Sequence, residues 1–250
     1  MKPIHLISLG AGVQSSTMAL MAAAGEIEPM PTAAIFADTT YEPAAVYEWL
    51  TWLEKQLPFP VYQVKAYDNR RGLFDRGQTQ IPTHAKGGLG KRQCTSNWKI
   101  VPLYRKCREI AGFTGKRAPD GLVTNWIGIS LDEAHRMKPS RERWAVNRWP
   151  LIERRISRAD CLRWMEHNGF PRPPRSACVF CPYKSDEEWR ETRNDPEQMR
   201  VVRNVEAMLL PKGEYLHNSQ QRIDEVDLST DLDRGQLSLF GNECEGMCGV

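Results

Sequence analysis

The segment His5–Thr17 constrains the fold more than any other part of the chain. An apolar run, Leu6-Ile7-Ser8-Leu9, stops at Gly10-Ala11-Gly12, and Ser15, Ser16 and Thr17 lead into Met18-Ala19-Leu20-Met21-Ala22-Ala23-Ala24. The pattern predicts a strand over Ile4–Ser8, a tight turn, and a helix over Ser15–Ala24. Small residues let a backbone approach an anion closely, and the free N–H groups of a helix start point at it. Residues 10–17 are therefore expected to hold a nucleotide phosphate. An ordinary strand-to-helix turn uses the same residue types and is the plainer alternative.

Further along, strands are expected at Thr32–Ala37, Val61–Val64 and Leu122–Ile129. Helices are expected at Pro43–Leu57, Lys99–Ala111, Ser157–Asn168 (Ser157 as N-cap), Ser185–Asn194 and Pro196–Leu209. Residues 68–93 have no clear period, and Trp149–Ile152 is a short apolar stretch. Strands alternating with helices predict an α/β fold, a doubly wound and mostly parallel sheet of Rossmann-like type. Such sheets bind ligands at the carboxyl ends of their strands. Residues 10–17, 38–40 and 130–136 all fall at such ends. The expected organisation is a nucleotide-binding α/β domain over 1–175, a cysteine motif with a helical extension over 176–210, and a tail over 211–250.

The 250 residues suffice for one large domain with a tail, and the hydrophobic share of 41% supplies a core. No run of about 18 apolar residues is present, so no membrane span is expected. The N-terminus lacks a signal-peptide pattern, and the expected location is the cytoplasm. Net charge is only +3, yet Arg136–Arg175 holds eleven Lys or Arg against four Asp or Glu. A basic stretch suits an anionic partner, nucleotide or nucleic acid, and equally a solvated surface.

Seven cysteines are an odd number for a disulfide framework, and a reducing compartment favours metal binding or catalysis instead. Cys178 and Cys181 form a C-x2-C pair, Cys94 lies in a basic segment, and Cys244 and Cys248 form a C-x3-C pair. Together they could hold an iron–sulfur cluster or a structural zinc. The tail thiols could alternatively act as redox nucleophiles. Cys107 and Cys161 fall inside expected helices and read as buried apolar residues.

Four segments in order resemble the adenine-nucleotide alpha-hydrolase group, the PP-loop proteins, and within it the phosphoadenosine phosphosulfate reductase branch. Gly10-Ala11-Gly12-Val13-Gln14-Ser15 resembles the S-G-G-x-D-S phosphate loop. Ile35–Glu42 resembles F-x-D-T-G-x-E, and Trp126–Arg136 resembles T-G-I-R-x-D-E-S-x-R. Cys178–Cys181 falls where the cluster-bearing branch carries its C-x2-C, and Glu243-Cys244-Glu245-Gly246 distantly resembles the reductases' E-C-G tail. Ala11 replaces a glycine and Gln14 replaces an acid. A neutral amide cannot hold magnesium as a carboxylate would, which leaves magnesium open, with Asp38 as a contributing carboxylate. Where the cluster branch has two adjacent cysteines, this chain has Gln93-Cys94.

The resemblance implies that Ser8, Gly10, Ala11, Gly12, Gln14, Ser15, Ser16, Asp38 and Thr39 meet the nucleotide. It implies Arg136 as the group stabilising developing charge, and Cys244 as the nucleophile beside Asp38 at the catalytic centre. Cys94, Cys178 and Cys181, with Cys244 or Cys248, would hold a 4Fe-4S cluster, or zinc. The substrate would be a sulfonucleotide reduced with the help of a thiol electron donor. The alternative is ATP, used to activate a tRNA or DNA for sulfur transfer. A non-catalytic nucleotide- or nucleic-acid-binding protein carrying zinc is the third possibility. An oligomer is compatible with all three.

Overall fold

The computed structural model describes residues 3–66 and 79–229. Two compact units divide the chain: the first takes the residues up to Ala66 and Asn97–Ser176, the second the segment before Asn97 and that from Ala177 on.

The first unit is built on five strands, β1 (Ile4–Leu9), β2 (Ala33–Asp38), β3 (Val61–Lys65), β6 (Val123–Ile127) and β7 (Ala145–Arg148). They pair in the order β3-β2-β1-β6-β7, every pair parallel. Leu6 lies between Ala33 and Asn125, so β1 is central, and its Leu6, Ile7 and Leu9 are buried. All six residues of β2 are buried, as its unbroken run Ala-Ala-Ile-Phe-Ala-Asp predicts for a strand covered on both faces.

Helices α1 (Val13–Ala23), α2 (Ala44–Gln56) and α5 (Arg158–His167) share one apolar cluster. There Met18, Leu50, Leu53, Cys161 and Met165 meet Ile7, Phe36 and Trp126. α3 (Val101–Ile110) covers the other face, where Leu103 and Cys107 pack with Leu6, Ile35 and Val123. The sheet is thus a helix-flanked, doubly wound α/β layer, as expected. The helix expected from Lys99 is preceded by a π-helical turn over Thr95–Ile100. The short α4 (Pro150–Glu153) falls on the expected apolar stretch, and β7, just before it, lies where no element was expected. Ser157 caps α5 as expected: its Oγ accepts the Asp160 N–H at 3.1 Å and the Asp160 carboxylate accepts the Ser157 N–H at 2.9 Å.

The second unit contains a two-residue hairpin, β4 (His84–Ala85) with β5 (Gly88–Leu89), and the helices α6 (Asp186–Asn194) and α7 (Pro196–Leu209). Residues 211–229, the start of the expected tail, are held against these helices. Arg193 donates to the Val226 carbonyl at 2.7 Å, Arg203 forks onto Asp224 with both contacts at 3.0 Å, and Glu206 accepts the Ile223 N–H at 2.8 Å. Leu216, Ile223, Val226 and Leu228 are buried. No helix among the described residues is long and apolar enough to cross a membrane.

Candidate functional site

The strand order reverses between β1 and β6, and two connections leave the sheet side by side at that point. One is the loop 10–12 that starts α1; the other is the segment 128–130 after β6. A crevice at such a switch point is where open α/β sheets place their ligands.

The loop is closed by its own serine. Ser15 Oγ accepts the Gly10 N–H at 3.1 Å and donates to the Gly12 carbonyl at 3.4 Å. Ala11 adopts a left-handed φ of 56° and is fully buried. Gly12 is the N-cap of α1; no side chain caps the helix, and its first turn carries no acid. The first N–H groups of α1 therefore present partial positive charge, the arrangement that binds oxyanions. Gly128 lets β6 close on this turn: a Cβ built there would stand 2.7 Å from Ser15 Cα and 2.8 Å from its nitrogen.

Gln14 faces the segment after β6. Its Nε2 donates to Glu133 Oε2 at 3.2 Å and to Ser130 Oγ at 3.4 Å, while its Oε1 accepts from Arg158 at 3.1 Å. Glu133 also pairs with Arg136 on the same 3-10 turn, Leu131–Arg136. The Arg158 N–H, at the start of α5, bonds Asp132 at 3.0 Å.

A second polar group lies at the carboxyl end of β2. Asp38 is buried and accepts from the Thr40 N–H at 2.7 Å and the Tyr47 hydroxyl at 2.8 Å, with Lys65 at 3.4 Å. Burial first, and then the bond to Asp38, raise the Tyr47 phenol above its ordinary value. Glu42, whose side chain is fully buried, meets Lys99 and the Ser176 hydroxyl, each at 3.4 Å. Ser176 is also the nearest neighbour that a Cβ on Gly12 would meet, at 3.8 Å.

Of the expected phosphate-site residues, Gly10, Ala11, Gly12, Gln14 and Ser15 form one loop. Ser16 is turned inward, where its buried Oγ accepts the Trp49 indole N–H at 2.9 Å. Ser8 precedes the loop within β1, and Thr39 is buried beside Asp38. Arg136 reaches the loop through Glu133 and Gln14. Glu42, Lys99, Ser130, Glu133, Arg158 and Ser176 were not singled out as site residues from the sequence. Glu133 and Ser130 lay within a polar segment after a strand, which was the available signal; Ser176 offered none.

Cys94, Cys178 and Cys181 all belong to the second unit and are partly exposed. Cys178 and Cys181 bracket a turn, with the Cys181 N–H on the Cys178 carbonyl at 2.9 Å. The Cys94 N–H bonds the Gln80 carbonyl at 2.9 Å. Among the described residues, no three His, Cys, Asp or Glu side chains gather to hold a metal ion. Cys244 and Cys248 lie outside the described residues. Cys107 and Cys161 are buried in α3 and α5, and burial pushes both thiols up to about 12.

No protein-family model matches the chain. It is 25% identical over 149 residues to the uncharacterized nin region protein ORF290 of Escherichia phage lambda, a match covering 58% of this chain. The chain spans about half of that relative, 48% of its length. Among solved structures, it is similar to phosphoadenylyl-sulfate (PAPS) reductase from Candida auris in a phosphate complex. That similarity has a TM-score of 0.47 at 13% identity and covers 69% of this chain and 76% of the other.

Proposed function

We propose that this chain is a PP-loop enzyme that binds the phosphates of an adenine nucleotide on residues 10–15. The observation that carries the proposal is the uncapped start of α1, set behind a serine-closed glycine loop at the switch point of the sheet. Backbone N–H groups there would take the oxyanion without a dedicated side chain. Arg136 would compensate charge that develops during reaction. The favoured substrate is a sulfonucleotide, attacked at sulfur by the Cys244 thiolate to form a sulfur–sulfur bond. The sulfur–oxygen bond breaks, the adenosine phosphate leaves, and a donor thiol then displaces sulfite.

Calorimetric titration of the full chain with ATP and with inorganic pyrophosphate tests the binding step. Ser15→Ala is expected to weaken both by about tenfold, because the loop loses its closure, and Ser130→Ala by less. Equal affinities for the two variants, or no binding by the wild type, would sink the phosphate-loop assignment. Sulfite release from a sulfonucleotide supports the reductase; pyrophosphate release from ATP with a nucleic acid present replaces it with the sulfurtransferase.

A further inference from the structure

Gln14 stands where the resemblance leads one to expect an acid, and its surroundings show what an amide does there. On one side it faces a carboxylate, Glu133 at 3.2 Å; on the other it faces a guanidinium, Arg158 at 3.1 Å. An amide has a donor end and an acceptor end, so one orientation satisfies both neighbours. Turned over, it would set its oxygen against the Glu133 carboxylate and its NH2 against the guanidinium. An acid at this position would suit Arg158 and repel Glu133; a lysine would do the reverse. The far oxygen of Glu133 holds Arg136. An unbroken chain thus runs from Arg158 through Gln14 and Glu133 to Arg136, anchored in the first turn of α1.

We propose that Gln14 is a positioning residue: a neutral clip between opposite charges that sets the Glu133–Arg136 pair and Arg158 beside the phosphate loop. It presents two fixed guanidinium groups to the di- or triphosphate of the nucleotide. The proposal rests on the phosphate-loop assignment for its ligand, but the clip itself does not.

Two measurements separate them. The first needs no nucleotide: melting of the wild type, Gln14→Glu, Glu133→Gln and the swapped pair Q14E/E133Q at one neutral pH. Gln14→Glu sets two carboxylates together, and Glu133→Gln removes the counter-charge of Arg136. The groups that meet Gln14 directly are Ser130, Glu133 and Arg158, and through these it is linked to Arg136 and Asp132. Each single variant is expected to melt lower than the wild type. The swapped pair restores one carboxylate and one amide, and is expected to regain most of the loss. Additive losses in the swapped pair would overturn the clip.

The second measurement is titration with inorganic pyrophosphate and with adenosine. Gln14→Ala is expected to weaken pyrophosphate about tenfold while leaving adenosine within about twofold, and to add little in an Arg136→Ala background. An equal loss for both ligands, or the same loss in both backgrounds, would reduce Gln14 to a purely structural part and overturn the positioning role. Failure of the wild type to bind pyrophosphate refutes the phosphate-loop assignment and the positioning role together. The clip then stands or falls on the melting of the swapped pair.

Discussion

Gly128→Ala is the sharpest perturbation of the site that removes no polar group. The added methyl would sit 2.7 Å from Ser15 Cα and 2.8 Å from Ser15 N, both backbone atoms that cannot rotate away. Ordinary carbon contacts need about 3.5–4.0 Å, so β6 and the first turn of α1 must separate by roughly 1 Å. Overpacking of this kind costs about 1–3 kcal/mol. At about 2–4 °C per kcal/mol, the melting temperature is expected to fall by about 2–12 °C. Hydrogen bonds stretched by the same distance leave the bonding range, so pyrophosphate affinity is expected to drop by about tenfold or more. Differential scanning calorimetry and titration read the two effects. Gly12→Ala is the control: its φ is −100° and its Cβ would meet nothing closer than 3.8 Å. It is expected to melt within about 2 °C of the wild type. If Gly128→Ala melts and binds like Gly12→Ala, β6 does not close on the loop as described.

Tyr47→Phe removes the hydroxyl bonded to Asp38 and is expected to cost about 1 kcal/mol at neutral pH. Because burial and Asp38 raise the folded phenol, its contribution is present below about pH 10 and lost as pH rises through the folded value. Urea denaturation should show the gap between wild type and variant narrowing in that alkaline range, and a constant gap would refute the assignment. Native alkylation near pH 8 is expected to spare Cys107 and Cys161, whose buried thiols are pushed up to about 12, while Cys94, Cys178 and Cys181 react. Mass spectrometry that finds Cys107 labelled as fast as Cys178 would contradict the packing of α3.

The sheet was legible because its central strands carry the signal of double burial. Ile4–Leu9 and Ala33–Asp38 are short apolar runs ended by small or polar residues, and each is followed by a helix-period stretch. β7 gave no such signal: Ala-Val-Asn-Arg lies at the sheet edge, has no run of apolar residues, and shows half of its Val146 to water. The phosphate loop could be read because its chemistry is local, with Gly10, Gly12 and Ser15 within six positions. Its partners could not, since Glu133 and Arg158 reach Gln14 from 119 and 144 residues away. Position 14 looked like the loss of a charge. The folded chain shows a carboxylate, Glu133, brought beside the same place from the 3-10 turn after β6.

Ala11 has a consequence for how an anion would be received. A left-handed alanine costs roughly 1 kcal/mol that a glycine would avoid, yet its methyl is fully enclosed in the apolar cluster beneath the loop. A glycine here would be free to leave that conformation; the alanine is anchored in it. The ordering entropy of the loop is therefore spent during folding, before any ligand arrives. An incoming oxyanion meets N–H groups already in place, and its binding should show little of the entropic penalty of closing a glycine-rich loop around it.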